Sequence, residues 1–165
     1  MRPQILFPLF AAIESLHGIG PKIARLVERL AGPKALDLLW HLPSGVVDRR
    51  RVVTLREAPP GGIVTLTLRI DGHIWGSSAR APHRVRASDS TGKIDLVFFH
   101  AQAKWLETTF PIGQTRIVSG RIEQFQGNLQ MPHPDRVGTL EERDAIAVVE
   151  PIYPLTAGLQ PRTLA

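Results

Sequence analysis

Two alternating arginines and two adjacent phenylalanines are the residues of this chain best suited to bind a nucleic acid. Arg84 and Arg86 are two positions apart, so in a strand they share one face, whereas Phe98 and Phe99 point to opposite faces. The alternation around them predicts Phe98 in the core and Phe99 outside, close to the arginines. Cationic side chains beside an exposed aromatic ring form the usual platform for single-stranded nucleic acid. Both rings could equally be buried, and the residues alone leave the two readings open.

A third aromatic residue, Phe125, lies next to the tight turn Gln126-Gly127-Asn128. An aromatic ring at a hairpin tip can act as a wedge beside a base pair, because unstacking one step costs a few kcal/mol. A ring folded back onto its own hairpin is at least as common, so this role also stays open.

The segment LHGIGPKIARLVERL, residues 16–30, resembles a helix–hairpin–helix element. In such an element the glycine turn, here Gly18 and Gly20, exposes backbone N–H groups at a helix N-terminus that can receive a DNA phosphate, with Lys22 beside them. A plain helical turn that packs its apolar residues is the more common case. The arginines that follow Asp48, by contrast, are expected to lie in a solvated or locally salt-bridged linker.

No pattern in the sequence indicates catalysis or a bound metal. The six histidines lack a metal-ligand spacing such as HExxH, and cysteine is absent. Neither GxSxG nor the phosphate loop GxxxxGK[ST] occurs. We therefore expect no catalytic residues and no metal ligands.

The elements that must position these residues are five strands with one helix between the third and the fourth. The first strand alternates over residues 63–75, where Gly72 is expected to mark a bulge. Asp89–Gly92 should form a hairpin turn with Gly92 at positive φ. Five strands with a helix in that place are typical of an OB-fold. The predicted fold is therefore mainly β, a five-stranded OB-fold barrel preceded by a helical, helix–hairpin–helix-like segment.

The predicted organisation has four parts: a helical segment over residues 1–45, a linker over 46–62, the barrel over 63–135 and an extended tail over 136–165. The chain carries 20 Lys and Arg against 15 Asp and Glu, a formal net charge of +5, which favours polyanionic partners. No apolar run approaches the ~20 residues that cross a bilayer. We expect a cytoplasmic monomer that does not bind membranes.

Five segments in one order resemble the N-terminal part of RecG-type ATP-dependent DNA helicases. Beside the helical segment at 16–30, DLLWHLPSGVVDRR at 37–50 is similar to the family's DLLxHLPxxYxDR, without its Tyr. LQMPHPD at 129–135 is similar to its LQMxHPE. The other segments are DSTGKIDLVFFHAQAKWL at 89–106 and PIYPLTAGLQPRTL at 151–164.

The resemblance implies a wedge domain that binds branched DNA, such as stalled replication forks and Holliday junctions, in recombination and repair. In the family, motor domains hydrolyse ATP and pull the duplexes while the wedge splits the strands. The resemblance thus implies ATP and Mg²⁺ in absent motor domains and no cofactor in this fragment. It also implies base stacking by family aromatics, here Phe99 first and then Phe98 and Phe125, and backbone contacts by Arg84, Arg86, Lys104 and Arg121.

Two other functions fit the same fold. An OB-fold can hold a peptide, such as the acidic tail of a single-stranded DNA-binding protein, or it can bind RNA. Competition between such a peptide and fork DNA, or a comparison of DNA with RNA forks, would separate these functions.

Overall fold

The computed structural model describes residues 3–78 and 80–159, and the chain divides into two compact units. The barrel unit is Asp48–Glu150, and the helical unit consists of the described residues within Met1–Val47 and Pro151–Ala165. This division differs from the predicted one, because most of the expected linker and half of the expected tail belong to the barrel unit. The last residues of that tail, 160–165, lie outside the described residues.

The structure contains short 3₁₀ segments, four α-helices and ten strands in its described residues. In chain order they are 3₁₀ Gln4–Phe10, 3₁₀ Ile13–Ser15, α1 Pro21–Leu30, α2 Ala35–Trp40, β1 Gly45–Asp48, β2 Val52–Val53, β3 Ile63–Ile74, β4 His83–Ser88, β5 Lys93–Phe98, α3 Ala103–Thr109, β6 Thr115–Arg121, β7 Glu123–Phe125, β8 Asn128–Pro132, β9 Arg136–Gly138, α4 Arg143–Ile146 and β10 Val149–Ile152.

The helical unit is built around α1. Pro21 occupies its first position, where a missing N–H costs nothing, and Ala24 and Val27 are buried against Ile13 and Leu159. In place of the helix predicted before the glycine turn, the structure has two 3₁₀ segments, Gln4–Phe10 and Ile13–Ser15. The helix–hairpin–helix likeness is therefore confined to the turn and the second helix.

The barrel unit follows the order β7-β8-β5-β4-β3-β6-β9. Strand β3 lies between β4 and β6, both antiparallel to it, and β5 pairs in parallel with β8. The predicted fourth strand is divided at the buried residue Ile122 into β6, which pairs with β3, and β7, which pairs with β8. This is the partly open barrel of an OB-fold, and it confirms a mainly β fold with N-terminal helices.

Segments expected to be irregular form further strands and part of the core. Strand β2 pairs in parallel with β3, and Leu55 and Ala58 behind it belong to the core. After the predicted barrel, β9 pairs with β6, and β1 and β10 form a two-stranded sheet. Such short strands carry too few residues to show an alternating pattern, so they could not be predicted from the sequence.

The turns agree with the sequence only in part. The pairing of β3 with β4 shifts between Ile70 and Gly72, which confirms the bulge. Gly127 has a φ of 81° after Gln126 at 50°, the pair of positive φ values of a type I′ hairpin. Gly92, however, does not have the predicted positive φ. The Asp89 carboxylate stabilises that turn instead, because it accepts hydrogen bonds from the N–H groups of residues 91 and 92. It also accepts one from the N–H of Leu55 in the segment after β2.

The two partly buried carboxylates Asp89 and Glu150 make the stability of the barrel unit depend on pH. Burial would raise the pKa of each, but hydrogen bonds outweigh it and hold both pKa values below the ordinary 3.8 and 4.5; for Glu150 the donors are Arg49 and Arg136. Their stabilisation is therefore complete above about pH 5 and is lost as the pH falls through the lower folded-state values.

We expect the free energy of unfolding, measured in urea at several pH values, to fall steadily below about pH 4. A stability that stays constant from pH 7 to pH 3 would contradict this reading. The Arg49→Met variant is the matched control, because without this donor the contribution of Glu150 to the slope should shrink.

Candidate nucleic-acid interface

Register places Phe98 and Phe99 as the alternation predicted. Phe98 is the last residue of β5, directly opposite His83 of β4, and only 4% of it is exposed. Phe99 follows it on the opposite face and is 45% exposed. Phe98 therefore belongs to the core, and its proposed role in base stacking is corrected: a ring enclosed by the barrel has no face to offer a base. Phe99 keeps that possibility.

The two phenylalanines belong to a group of rings at one end of the barrel, which we call the ring cluster. It gathers where β3, β5 and β8 end and β4 begins, together with α3. Its ring contacts form two sets, with centroids 5.1–6.2 Å apart within each set. The sets are joined by the pairing of His83 with Phe98 and by the 2.9 Å hydrogen bond between His73 Nε2 and the Phe110 carbonyl. Its members are His73, Trp75, His83, Phe98, Phe99, Trp105, Phe110 and His133.

Phe99 is fixed on one side by His133. The two rings stack with centroids 5.5 Å apart and planes inclined by 28°, and the Phe99 N–H donates to His133 Nε2 at 3.4 Å. His133 in turn follows β8, and its N–H donates to the carbonyl of Val97. A ring held on one side and open on the other is already oriented, so it would lose little side-chain entropy on stacking with a base.

Two exposed tryptophans of the ring cluster were missed by sequence reasoning. Trp75 is 41% exposed, stacks on His73 at 5.1 Å and meets His83 edge-on. Trp105, in α3, is 49% exposed and contacts Phe98 edge-on at 5.9 Å. A signal was available, since Trp75 ends the predicted first strand and Trp105 lies within the helix predicted after the third strand. Only the observed register and ring contacts show that both lie at the same end of the barrel.

The predicted cations differ in how free they are. Arg84 donates to Asp95 at 3.4 Å, a partner that offsets its charge. Arg86 lies opposite Asp95 in β4, is exposed, and forms no ion pair among the described residues. Lys104 is exposed on α3, next to Trp105. Arg86 and Lys104 are thus the cations of this set most available to a phosphate.

Phe125 and Arg121 do not belong to the ring cluster. In the parallel pairing of β8 with β5, Gln130 lies beside Asp95, so the hairpin tip before β8 lies near the beginning of β5. Phe99 follows the other end of β5. The two ends of that strand are about 20 Å apart, six residues at ~3.3 Å per residue. Phe125 is 50% exposed at that tip, and Arg121 donates to the carbonyl of Gly61 at 2.6 Å.

The predicted phosphate-binding turn lies in the helical unit. Gly18 has a φ of 84°, and Gly20, with a φ of −80°, is the residue before α1. Lys22 is exposed in the first turn of that helix. The turn is therefore formed as the sequence predicts, and its contact with DNA stays a prediction.

Other kinds of site find no support in the part of the chain that the structure describes. No group of three or more His, Asp or Glu side chains there could hold a metal ion. None of the helices described is long and apolar enough to span a bilayer.

Comparison with known proteins agrees with this geometry. The family model described as the RecG wedge domain matches residues 12–165. Curated proteins similar to the chain are named ATP-dependent DNA helicase RecG: one from Acidithiobacillus ferridurans is 26% identical over 155 residues, and one from Escherichia coli strain K12 is 25% identical over 154. Each alignment covers 92% of this chain and 22% of the relative, so the chain spans about a fifth of their length.

A solved structure has the same fold. It is described as RecG bound to a three-way DNA junction and superposes with a TM-score of 0.77 at 22% sequence identity, over 94% of this chain and 22% of that one. At that identity the likeness shows the arrangement of elements and does not by itself transfer a binding site.

Proposed function

Because the chain belongs to the RecG wedge domain family, we propose that it binds branched DNA and keeps strands apart at the branch point. The branched substrates would be stalled forks and Holliday junctions. ATP hydrolysis, with its Mg²⁺, would belong to motor domains in the longer proteins that the chain matches. The phosphate-binding GxxxxGK[ST] loop of such motors does not occur in this chain.

The observation that carries the proposal is the exposed, oriented ring of Phe99 in a cluster with two more exposed aromatic residues. Trp75 and Trp105 share its end of the barrel. Where a duplex splits, the bases next to the branch point lose a stacking partner on one side. An aromatic ring can replace that partner, and stacking contributes about 1–3 kcal/mol per base.

Cations near these rings would position the backbone without reading sequence. Arg86 and Lys104 are exposed, and phosphate contacts from such side chains fix the register of a protein on DNA. A junction presents both an unstacked base and several phosphates at one place. Linear duplex offers only the phosphates, so the chain should prefer the junction.

Binding to four substrates of equal length tests the proposal: a fork, a Holliday junction, a linear duplex and a single strand, at one moderate salt concentration. We expect the two branched forms to bind most tightly and the linear duplex more weakly. Equal, weak binding to all four would overturn the proposal.

A further inference from the structure

Three basic residues form a stripe on the exposed side of α1, which we call the α1 stripe. Lys22, Arg25 and Arg29 are spaced by three and four residues, so they lie on one face of the helix. All three are exposed, and together with Pro21 and Leu26 they line a shallow groove. The seven steps from residue 22 to residue 29 extend about 10 Å along the helix axis at ~1.5 Å per residue.

The cations of the α1 stripe form no ion pair with any residue that the structure describes. Among the described residues, the ion pairs on the basic side engage arginines 49, 50, 69, 84 and 136 only, all in the barrel unit. Glu28 follows Arg25 by three residues in the same helix, yet no ion pair forms between them. The charges of the stripe therefore remain available to an external anion.

The position of the stripe is set by the opposite face of the helix. Ala24 and Val27 are buried, and Ile23, Leu26 and Leu30 pack against that core. The helix therefore cannot turn its basic side inward without exposing this core. The three charges are presented together on a supported helix, so little backbone entropy is lost when they bind.

We propose that the α1 stripe binds the phosphate backbone of a duplex DNA arm, as a second DNA-binding surface besides the ring cluster. This rests on the proposed function, which supplies a branched DNA with duplex arms. Duplex DNA carries one negative charge per ~1.7 Å of axis, so a 10 Å stripe would face about six phosphate charges. Contacts of this kind add affinity and do not discriminate a junction from a duplex.

An acidic peptide is the other anion that such a stripe could bind, and the composition of the groove favours DNA. Three of the five residues that line the groove are cations, and its two apolar side chains are those of Pro21 and the half-buried Leu26. A specific peptide site would need a deeper apolar pocket for an anchoring side chain. The evenly charged stripe suits the repeated charge of a backbone.

The test measures how the affinity for linear duplex depends on salt, in the wild type and in a variant carrying Lys22→Gln, Arg25→Gln and Arg29→Gln. Glutamine keeps helix propensity while it removes the charge. Each phosphate contact contributes about 0.9 to the slope of log K against log salt, so the slope should become shallower by about two to three. A control with the same change of net charge carries Arg56→Gln, Lys93→Gln and Arg143→Gln, all at exposed positions of the barrel unit.

The proposal predicts that the control changes the slope by less than about one, because those cations make no such contacts. An unchanged slope in the α1 variant, or an equal change in both variants, would overturn it. Loss of binding to an aspartate-rich peptide without any change in slope would also overturn it, in favour of a peptide site.

Measuring the same proteins on a three-way junction separates this proposal from the proposed function. The α1 variant should lose affinity for junction and duplex alike and keep the wild-type preference between them. If the wild type shows no preference for the junction while the slope still changes, the proposed function fails and the stripe stands. If the preference is present and the slope does not change, the stripe fails alone.

Discussion

Replacing Arg49 with methionine is expected to lower the free energy of unfolding by about 3–5 kcal/mol, the usual cost of removing one partner from a buried ion pair. Arg49 is 6% exposed, and its guanidinium donates to Glu150 at 2.6 Å, to Asp135 at 3.0 Å and to Ser119 at 3.2 Å. Arg136 also pairs with Glu150, so this carboxylate keeps one cationic partner in the variant. The lower end of the range is expected, because Glu150 keeps 23% of its side chain in water.

The neighbouring residue Arg50 provides a matched control for this substitution. Its side chain is 67% exposed, and the one ion pair that it forms with the described residues is with Asp48, two residues away. Arg50→Met removes the same charge from the same segment and should leave the unfolding transition almost unchanged, because exposed ion pairs contribute little. Urea denaturation of the two variants measures the difference. Equal losses would contradict a structural role for Arg49.

The second large effect separates the two adjacent phenylalanines. Phe98→Ala should lower the free energy of unfolding by about 3–5 kcal/mol, because it leaves a cavity beside Phe110 and Trp105 in the core. Phe99→Ala should change that free energy by less than about 1 kcal/mol, since nearly half of the residue is exposed. Its effect should appear instead in junction binding, weakened about 5- to 150-fold for one stacked base.

A conservative variant makes this comparison specific to the ring. Phe99→Tyr keeps an aromatic face and should retain most of the junction affinity, whereas Phe99→Leu keeps apolar bulk and should not. Thermal unfolding of each variant checks that the loss of binding is not a loss of folding. If Phe99→Ala unfolds as readily as Phe98→Ala, Phe99 belongs to the core and not to an interface.

Much of the barrel could be predicted from the sequence, because apolar residues alternate with others along β3 and β5. This alternation gave most of their buried positions and separated Phe98 from Phe99, although Thr65 and Val97 on the other faces are buried as well. The bulge at Gly72 was predictable for a similar reason, since a glycine inside a strand pattern often marks one. Local periodicity is sufficient wherever a strand is long enough to show its two faces.

Features that depend on distant partners could not be predicted in this way. Arg49 stands in a run of charges that is typical of a solvated linker, yet it is buried because Glu150 and Asp135, 101 and 86 residues away, accept its hydrogen bonds. The ring cluster has the same origin: strand register and the packing of α3 bring Trp75 and Trp105 to the end of the barrel where Phe99 lies. The pattern of neighbouring residues in the sequence does not indicate such long-range contacts.

The most direct test of the account compares wild type and Phe99→Ala in the dissociation constant for a three-way junction and for a linear duplex of the same arm sequence. We predict that the wild type binds the junction more tightly than the duplex and that Phe99→Ala loses most of this difference while its affinity for duplex hardly changes. A wild type that binds both equally, or a preference that survives Phe99→Ala intact, would contradict the claim that the ring cluster recognises the branch point.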